Sequence, residues 1–199
     1  MTEQADLLVD RLARVARDGA GRAGRGLSGL MGQQIAIYVP AVRLGTRADA
    51  CESVGGDDVT VLGAYFEMTG RLSGHLMLVF PVNRALECVD LMCGRTIGTT
   101  KRSDELVDSA MGELGNIIGS AFVNAFGDFT GLVLQATPPT VVNDIANALV
   151  QSVYAEILVN GGDVAMLDTV FEDHRGRTAG LLVAALNPQC LPLFRERAA

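Results

Sequence analysis

The chain has 199 residues and a formal net charge of −7, with 49% apolar and 20% charged residues. This composition is typical of a globular protein with a buried core and argues against intrinsic disorder. The negative charge argues against nonspecific attraction to nucleic acid or to an anionic membrane. No apolar run is long enough to span a bilayer, and the amino-terminal segment has no secretory apolar core. We therefore expect a cytoplasmic protein without membrane insertion.

The four cysteines do not form the pattern of a metal site. No CxxC pair occurs among Cys51, Cys88, Cys93 and Cys190, and the chain has only two histidines. A structural zinc site requires four closely grouped cysteine or histidine ligands. We expect reduced thiols and no metal bound by this chain.

The first hundred residues predict a helix, a strand, a hairpin and a second helix. Apolar residues recur at helical spacing over residues 5–31, and a strand over Gln34–Val39 should end at Pro40. The polar, glycine-containing stretch Thr46–Asp57 is interpreted as a connection. The other elements predicted here are strands at 59–68 and 75–80, joined as a hairpin, and a helix at 82–93.

The helix–strand–hairpin pattern repeats in the second hundred residues. The segment Gly94–Ser103 is the predicted junction between the two hundred-residue parts. Pro138 and Pro139 are expected to separate a strand from a helix. The predicted elements are a helix at 104–127, a strand at 131–137, a helix from about 143 to 158, and a hairpin of strands 164–172 and 178–186.

A shift of 99 residues superposes the two series. It places Asp10 on Ser109, Val15 on Leu114 and Pro40 on Pro139. Each hairpin needs a partner that covers its apolar face. The sequence therefore predicts an α+β fold of two tandem pseudo-symmetric halves, 1–100 and 101–199. We expect them to form one domain with an antiparallel sheet of about six strands, covered by long helices.

One spacing in the second half suggests a functional site. Ser109, Glu113 and Asn116 lie at i, i+4 and i+7 of a predicted helix, so they share one face, and Pro139 follows after a gap of 22 residues. On spacing alone, the favoured interpretation is an ordinary amphipathic helix whose polar face is solvated.

Three glycines interrupt the same helix. Each of Gly112, Gly115 and Gly119 costs roughly 1 kcal/mol relative to alanine. Three together predict that another group approaches this backbone closely.

The string Ser109-x3-Glu113-x2-Asn116-x22-Pro139 resembles the signature of the CheC/CheX/FliY phosphatases of chemotaxis. In that family an Asp or Ser is followed by Glu, Asn and Pro at these separations. The duplicated halves and the turn GRLSGHLMLVFP extend the resemblance over essentially the whole chain.

The resemblance implies a substrate and a role for each residue. The substrate would be the aspartyl phosphate of a CheY-type response regulator, which itself carries Mg²⁺ and a phosphate-contacting lysine. Asn116 would position the attacking water, and Glu113 would pair with that lysine. The helix glycines Gly112, Gly115 and Gly119 would admit the partner's loops. Ser109 would assist docking or bond to a helix carbonyl, and Pro139 would be architectural, stopping a strand before the next helix.

The first half departs from the signature at its two chemical positions. Asp10 and Pro40 occupy signature positions, but Arg14 and Arg17 stand where glutamate and asparagine are expected. Arginine cannot accept a hydrogen bond, so it cannot replace either residue. We expect this half to be catalytically silent. The alternative is that Arg14 and Arg17 bind an acidic surface.

Two further interpretations come from other functional classes. The chain could be a non-catalytic adaptor for a response regulator or for a CheD-like receptor deamidase. It could also be a component of the flagellar switch like FliY, although that protein carries an additional carboxy-terminal switch-binding domain.

Overall fold

Two tandem helix–strand–hairpin halves build the fold, as the 99-residue shift predicts. The computed structural model describes residues 3–158, 164–173 and 176–187. The first series is α1 (Glu3–Met31), β1 (Ala36–Gly45), α2 (Arg47–Ser53), β2 (Thr60–Gly70), β3 (Gly74–Pro81) and α3 (Val82–Met92). The second is α4 (Glu105–Thr130), β4 (Leu134–Ala136), β5 (Thr140–Ile145), α5 (Ala146–Leu158), β6 (Val164–Asp173) and β7 (Gly176–Leu186).

The described strands form one antiparallel sheet in which the halves interlock. Its order is β1-β6-β7-β3-β2-β4, and β5 also pairs with β2. The first strand of each half therefore lies beside the hairpin of the other half. From each edge inward, the sheet has the first strand or strands of one half and then the two hairpin strands of the other half. The pseudo-twofold axis therefore passes between β3 and β7. The α+β class and the pseudo-symmetric sheet are confirmed, with seven strands where about six were expected.

Helices cover both faces of the sheet because the strands alternate apolar side chains on both sides. On one face, Leu62 and Phe66 of β2 pack in the larger core cluster with residues of α1, α3 and α4. On the other, Val61 and Val79 pack with residues of α2 and α5.

The two long helices, α1 and α4, lie side by side and antiparallel. Gly19 of α1 lies against Phe122 of α4, and Gly26 lies against Ile117, so residue numbers rise along one helix as they fall along the other. A methyl group at Gly19 would come within 2.9 Å of the Phe122 ring. Arg22 bridges the pair, with ion pairs of 2.7 Å to Asp18 and to Asp128. These bonds raise the pKa of Arg22.

The expected connection at Thr46–Asp57 contains a helix, α2, and that expectation is corrected. Thr46 caps it: its hydroxyl accepts from the Asp49 backbone N–H, and the Asp49 carboxylate accepts from the Thr46 N–H at 2.7 Å. Such a capping box satisfies two helix-end donors, so it supports a single short helix despite the polar composition. The bonds to Thr46 lower the pKa of Asp49.

The prolines act differently from the prediction: Pro40 lies within the edge strand β1, and Pro138 and Pro139 lie between the strands β4 and β5. Pro40 does not end β1; the strand continues to Gly45, with a register shift between Tyr38 and Ala41. An edge strand tolerates proline at such an irregularity because one side of the strand has no ladder bonds to lose. The strand expected at 131–137 is confined to β4, and the helix expected from about 143 begins at Ala146.

The second hairpin is confirmed as β6 and β7, which pair from Ala165–Ala184 to Asp173–Gly176. Residues 174 and 175 of its predicted turn lie outside the described residues, as does Cys190. Within the described ranges, none of the helices combines the length and hydrophobicity that crossing a bilayer requires.

Candidate functional site

Helix α4 presents Ser109, Glu113 and Asn116 on one exposed face, as the spacing predicts. The helix begins at a cap in which the Asp104 carboxylate accepts from the Val107 N–H at 3.0 Å. It ends at Gly131, whose φ of 65° is the left-handed conformation that terminates helices. The intervening apolar residues hold the opposite face on the sheet, so the three polar side chains project from a fixed support.

The Glu113 and Asn116 side chains are available to a partner. Both are exposed, and neither makes a hydrogen bond or ion pair with another residue in the described part of the chain. At i, i+3 spacing their Cβ atoms lie roughly 5–6 Å apart. A carboxylate and an amide are therefore presented together. Ser109 is exposed as well, and its hydroxyl makes no bond to a helix carbonyl among the described residues.

Two of the helix glycines face the protein's own sheet, which corrects their expected role at a partner interface. Gly115 and Gly119 are buried. A Cβ at Gly115 would lie 2.6 Å from the Ala64 Cβ, and one at Gly119 would lie 2.7 Å from the Phe66 ring. The close approach is that of α4 to β2. Gly112 is half-buried, and a Cβ there would meet Val141 at an ordinary distance of 3.7 Å.

Pro139 contacts the helix at the centre of the site. A Cβ at Gly115 would also lie 3.1 Å from the Pro139 Cβ, so the proline packs on the backbone between Glu113 and Asn116. It lies between β4 and β5, and the element that follows it is a strand rather than the expected helix. The fourth signature residue is thus brought to the other three by the tertiary structure.

Thr137 is a residue of this region that the sequence reasoning missed. Its hydroxyl accepts from the Glu67 N–H at 2.9 Å, and its own N–H donates to the Glu67 carbonyl at 2.9 Å. These bonds continue the pairing with β2 where Pro138 and Pro139 have no N–H to donate. A threonine placed directly before two prolines at a predicted strand end is the signal that could have indicated it.

The corresponding face of the first half is also exposed. Asp10, Arg14 and Arg17 lie on the exposed surface of α1, and Pro40 is exposed in β1. The side chains of Arg14 and Arg17 make no ion pair or hydrogen bond with other described residues. This face therefore carries two cations at the positions where α4 carries a carboxylate and an amide.

No metal centre is built into the part of the chain that the structure describes: no three His, Cys, Asp or Glu side chains there are grouped to hold an ion. The described thiols are separate from one another. Burial raises the pKa of Cys88 to about 12, and burial together with Asp57 raises that of Cys51 to about 11. Both side chains lie in the core clusters and away from the exposed face of α4.

Comparisons with known proteins relate the chain to chemotaxis proteins. The family model described as chemotaxis phosphatase CheX matches residues 62–158. The CheY-P phosphatase CheC of Bacillus subtilis (strain 168) is 27% identical over 167 residues, which cover 83% of this chain and 80% of that protein.

Solved structures share the fold. FliY from Thermotoga maritima has a TM-score of 0.80 at 21% identity, covering 100% of this chain and 99% of that one. A chain of the FliG–FliM complex from H. pylori has a TM-score of 0.71 at 9% identity, covering 98% and 100%. At these identities the structures support the architecture alone. Taken with the sequence matches, they confirm the resemblance to the CheC/CheX/FliY family.

Proposed function

We propose that this CheC-like chain hydrolyses the aspartyl phosphate of a CheY-type response regulator at a single site on α4. The observation that carries the proposal is the exposed pair Glu113 and Asn116, which has no side-chain partner among the described residues and lies on a helix fixed against the sheet. The relation to the Bacillus CheY-P phosphatase supports the substrate class. The proposal places the protein in the cytoplasm, where such regulators act.

The chemistry requires little from this chain. An acyl phosphate is already activated, and a water that attacks the phosphorus in line releases inorganic phosphate and restores the regulator's aspartate. Catalysis of such transfers depends mainly on positioning and electrostatics. The Asn116 amide suits this role, because its oxygen accepts from the water while its nitrogen donates to a neighbouring oxygen.

Glu113 would dock the regulator rather than act on the phosphorus. Its carboxylate, one turn from Asn116, can pair with the regulator's lysine and so fix where the amide enters. Ser109 extends the docking face by another turn. Pro139 supports the helix from behind at Gly115 and would act through that position. The Mg²⁺ that balances the phosphoryl charge would belong to the regulator.

The test is phosphate release from a phosphorylated CheY-type regulator of the same organism. We expect the wild-type protein to accelerate release, and Asn116→Ala to reduce kcat by about 100-fold because the water is no longer positioned. Asn124→Ala is the matched control, since it removes an exposed asparagine from the same helix two turns away.

Glu113→Ala separates docking from chemistry, because it should raise KM more than it lowers kcat. Equal activity of the Asn116→Ala and Asn124→Ala proteins would contradict the proposal.

The second candidate function is a non-catalytic adaptor that binds a response regulator or a CheD-like deamidase. It is favoured by the fold shared with the FliM middle domain from H. pylori, since FliM is also solved in a complex with FliG, and by the two arginines in the first half. Binding of the phosphorylated regulator without accelerated phosphate release would select this function.

A further inference from the structure

Three arginines on α1 are exposed and unpaired in a chain of negative net charge. Arg14, Arg17 and Arg25 make no ion pair or hydrogen bond with other residues in the described ranges, whereas Arg22 is held by Asp18 and Asp128. An exposed guanidinium that makes no ion pair or hydrogen bond within the described part of its chain is available to an anionic group of a partner.

Arg25 differs from the other two because it lies beside Asn116. Gly26 packs against Ile117, with 3.1 Å between a Cβ at Gly26 and the Ile117 Cγ2. Arg25 and Asn116 are the residues immediately before this contact on the two helices. Arg17 lies eight residues from Arg25, about 12 Å along the helix axis.

Both side chains also point away from the sheet. Leu27 is 1% exposed and Ile118 is 0% exposed, and both lie in the core cluster beneath the helices. Each residue turns a helix by about 100°, so a residue two positions earlier projects on the opposite side. Arg25 and Asn116 are exposed, as this geometry requires. They flank the same helix contact on one outer surface.

The charges on this surface are complementary to the proposed substrate. On α4, Glu105, Asp108 and Glu113 make the part before Asn116 acidic, and on the neighbouring helix α1 Arg25 supplies a cation, whose Nη1 lies 3.5 Å from where a Cβ at Gly21 would be and can turn towards Asn116 by rotation of the exposed side chain. A regulator whose lysine pairs with Glu113 and whose phosphoryl group lies over Asn116 would bring that anion next to Arg25. The guanidinium presents a planar fork of donors that matches phosphoryl oxygens.

We propose that Arg25 is a binding residue of the α4 site and contacts the phosphoryl group of the docked regulator. This inference rests on the proposed function and extends it. The site is then shared between the halves: α4 supplies the amide and the carboxylate, and α1 supplies the cation.

The experiment measures two quantities for the wild type and for the Arg25→Ala, Arg25→Lys and Arg17→Ala variants. The first is the affinity for the regulator in its phosphorylated and unphosphorylated forms. The second is the rate of phosphate release. Arg17→Ala is the matched control, since it removes an equally exposed and unpaired arginine from the same helix.

We expect Arg25→Ala to weaken binding of the phosphorylated regulator about tenfold, the size of one charge-assisted hydrogen bond. Affinity for the unphosphorylated form should stay within about twofold, and Arg25→Lys should recover part of the loss. The unfolding temperature should change little, because the Arg25 side chain makes no hydrogen bond or ion pair with the described residues. Equal losses for Arg25→Ala and Arg17→Ala, or equal losses for the two forms of the regulator, would overturn the inference.

The outcomes separate this inference from the proposed function. If Asn116→Ala abolishes turnover while Arg25→Ala changes neither affinity nor rate, the phosphatase stands and the role of Arg25 is rejected. If the wild type releases no phosphate but Arg25→Ala still weakens binding of the phosphorylated form alone, the binding role stands and the phosphatase is rejected.

Discussion

The residue Gly115 shows how a helix glycine can be required by packing rather than by a partner. A Cβ at this position would lie 2.6 Å from the Ala64 Cβ and 3.1 Å from the Pro139 Cβ. Neither neighbour has a flexible end that could move aside. The distance between α4 and β2, and with it the position of Glu113 and Asn116, therefore depends on the absence of a side chain at Gly115.

We predict that Gly115→Ala destabilises the protein by about 1–3 kcal/mol, the usual cost of forcing a methyl group into a filled core. The gain in helix propensity, about 1 kcal/mol, offsets part of it. Gly112→Ala is the control, because its new methyl group meets Val141 at an ordinary distance and should leave stability unchanged or slightly higher. Urea unfolding followed by circular dichroism measures both; equal stability of the two variants would refute the packing argument.

At the scale of elements, the junction between the halves is tied to α3 by one buried carboxylate. Asp90 is 0% exposed. Its two oxygens accept from the Thr99 N–H at 2.8 Å, the Thr100 N–H at 3.0 Å and the Thr100 hydroxyl at 2.6 Å. The sequence places the junction at Gly94–Ser103, and these bonds fold its second half back onto α3.

Loss of the Asp90 carboxylate should be costly because three donors of the junction would lose their buried acceptor. We predict that Asp90→Ala lowers the free energy of unfolding by about 2–4 kcal/mol, because hydrogen bonds to a charged group contribute about 1.5–3 kcal/mol each and water replaces part of them at the exposed Thr99 and the half-buried Thr100. Asp90→Asn keeps one acceptor oxygen and should lose less. Chemical denaturation gives the ranking, and amide exchange at Thr99 and Thr100 reports the local release. Fast exchange of the Thr99 and Thr100 amides in the wild type would contradict their hydrogen bonds to Asp90.

At the scale of the whole molecule, the strand order joins the two halves. β1 of the first half pairs with β6, and β5 of the second half pairs with β2. Neither half can complete its part of the sheet alone, because each would leave a hairpin without its neighbouring edge strand. We therefore propose that residues 1–199 form one folding unit rather than two fused domains.

The prediction is a single cooperative unfolding transition for the full chain and no stable fold for residues 1–100 or 101–199 alone. Because the chain has no tryptophan, far-ultraviolet circular dichroism and amide exchange are suitable probes. Mixing the two halves should restore the spectrum of the full chain. Two separate transitions, or a stable isolated half, would contradict the proposal.

The sequence by itself determined the elements that depend on local pattern. Residues close together in the chain encode the helical stripe of α1, the two β-rich hairpins and the polar face of α4. Over such short stretches, the period at which apolar residues recur indicates which positions are buried. The 99-residue repeat then gave the class of fold and the pseudo-symmetry. The spacing of Ser109, Glu113 and Asn116 gave the face that the structure exposes, and the roles of these side chains stay a prediction.

Only the tertiary structure decided what depends on contacts between distant residues. It placed Gly115 and Gly119 against β2, made residues 140–145 an edge strand on β2 rather than the start of a helix, and brought Pro139 onto α4. It also set Gly26 of α1 against Ile117 of α4, the contact that Arg25 and Asn116 flank, although 90 residues lie between the two contacting residues in the chain. Local propensity cannot predict these features, because each depends on contacts between residues that are far apart in the chain.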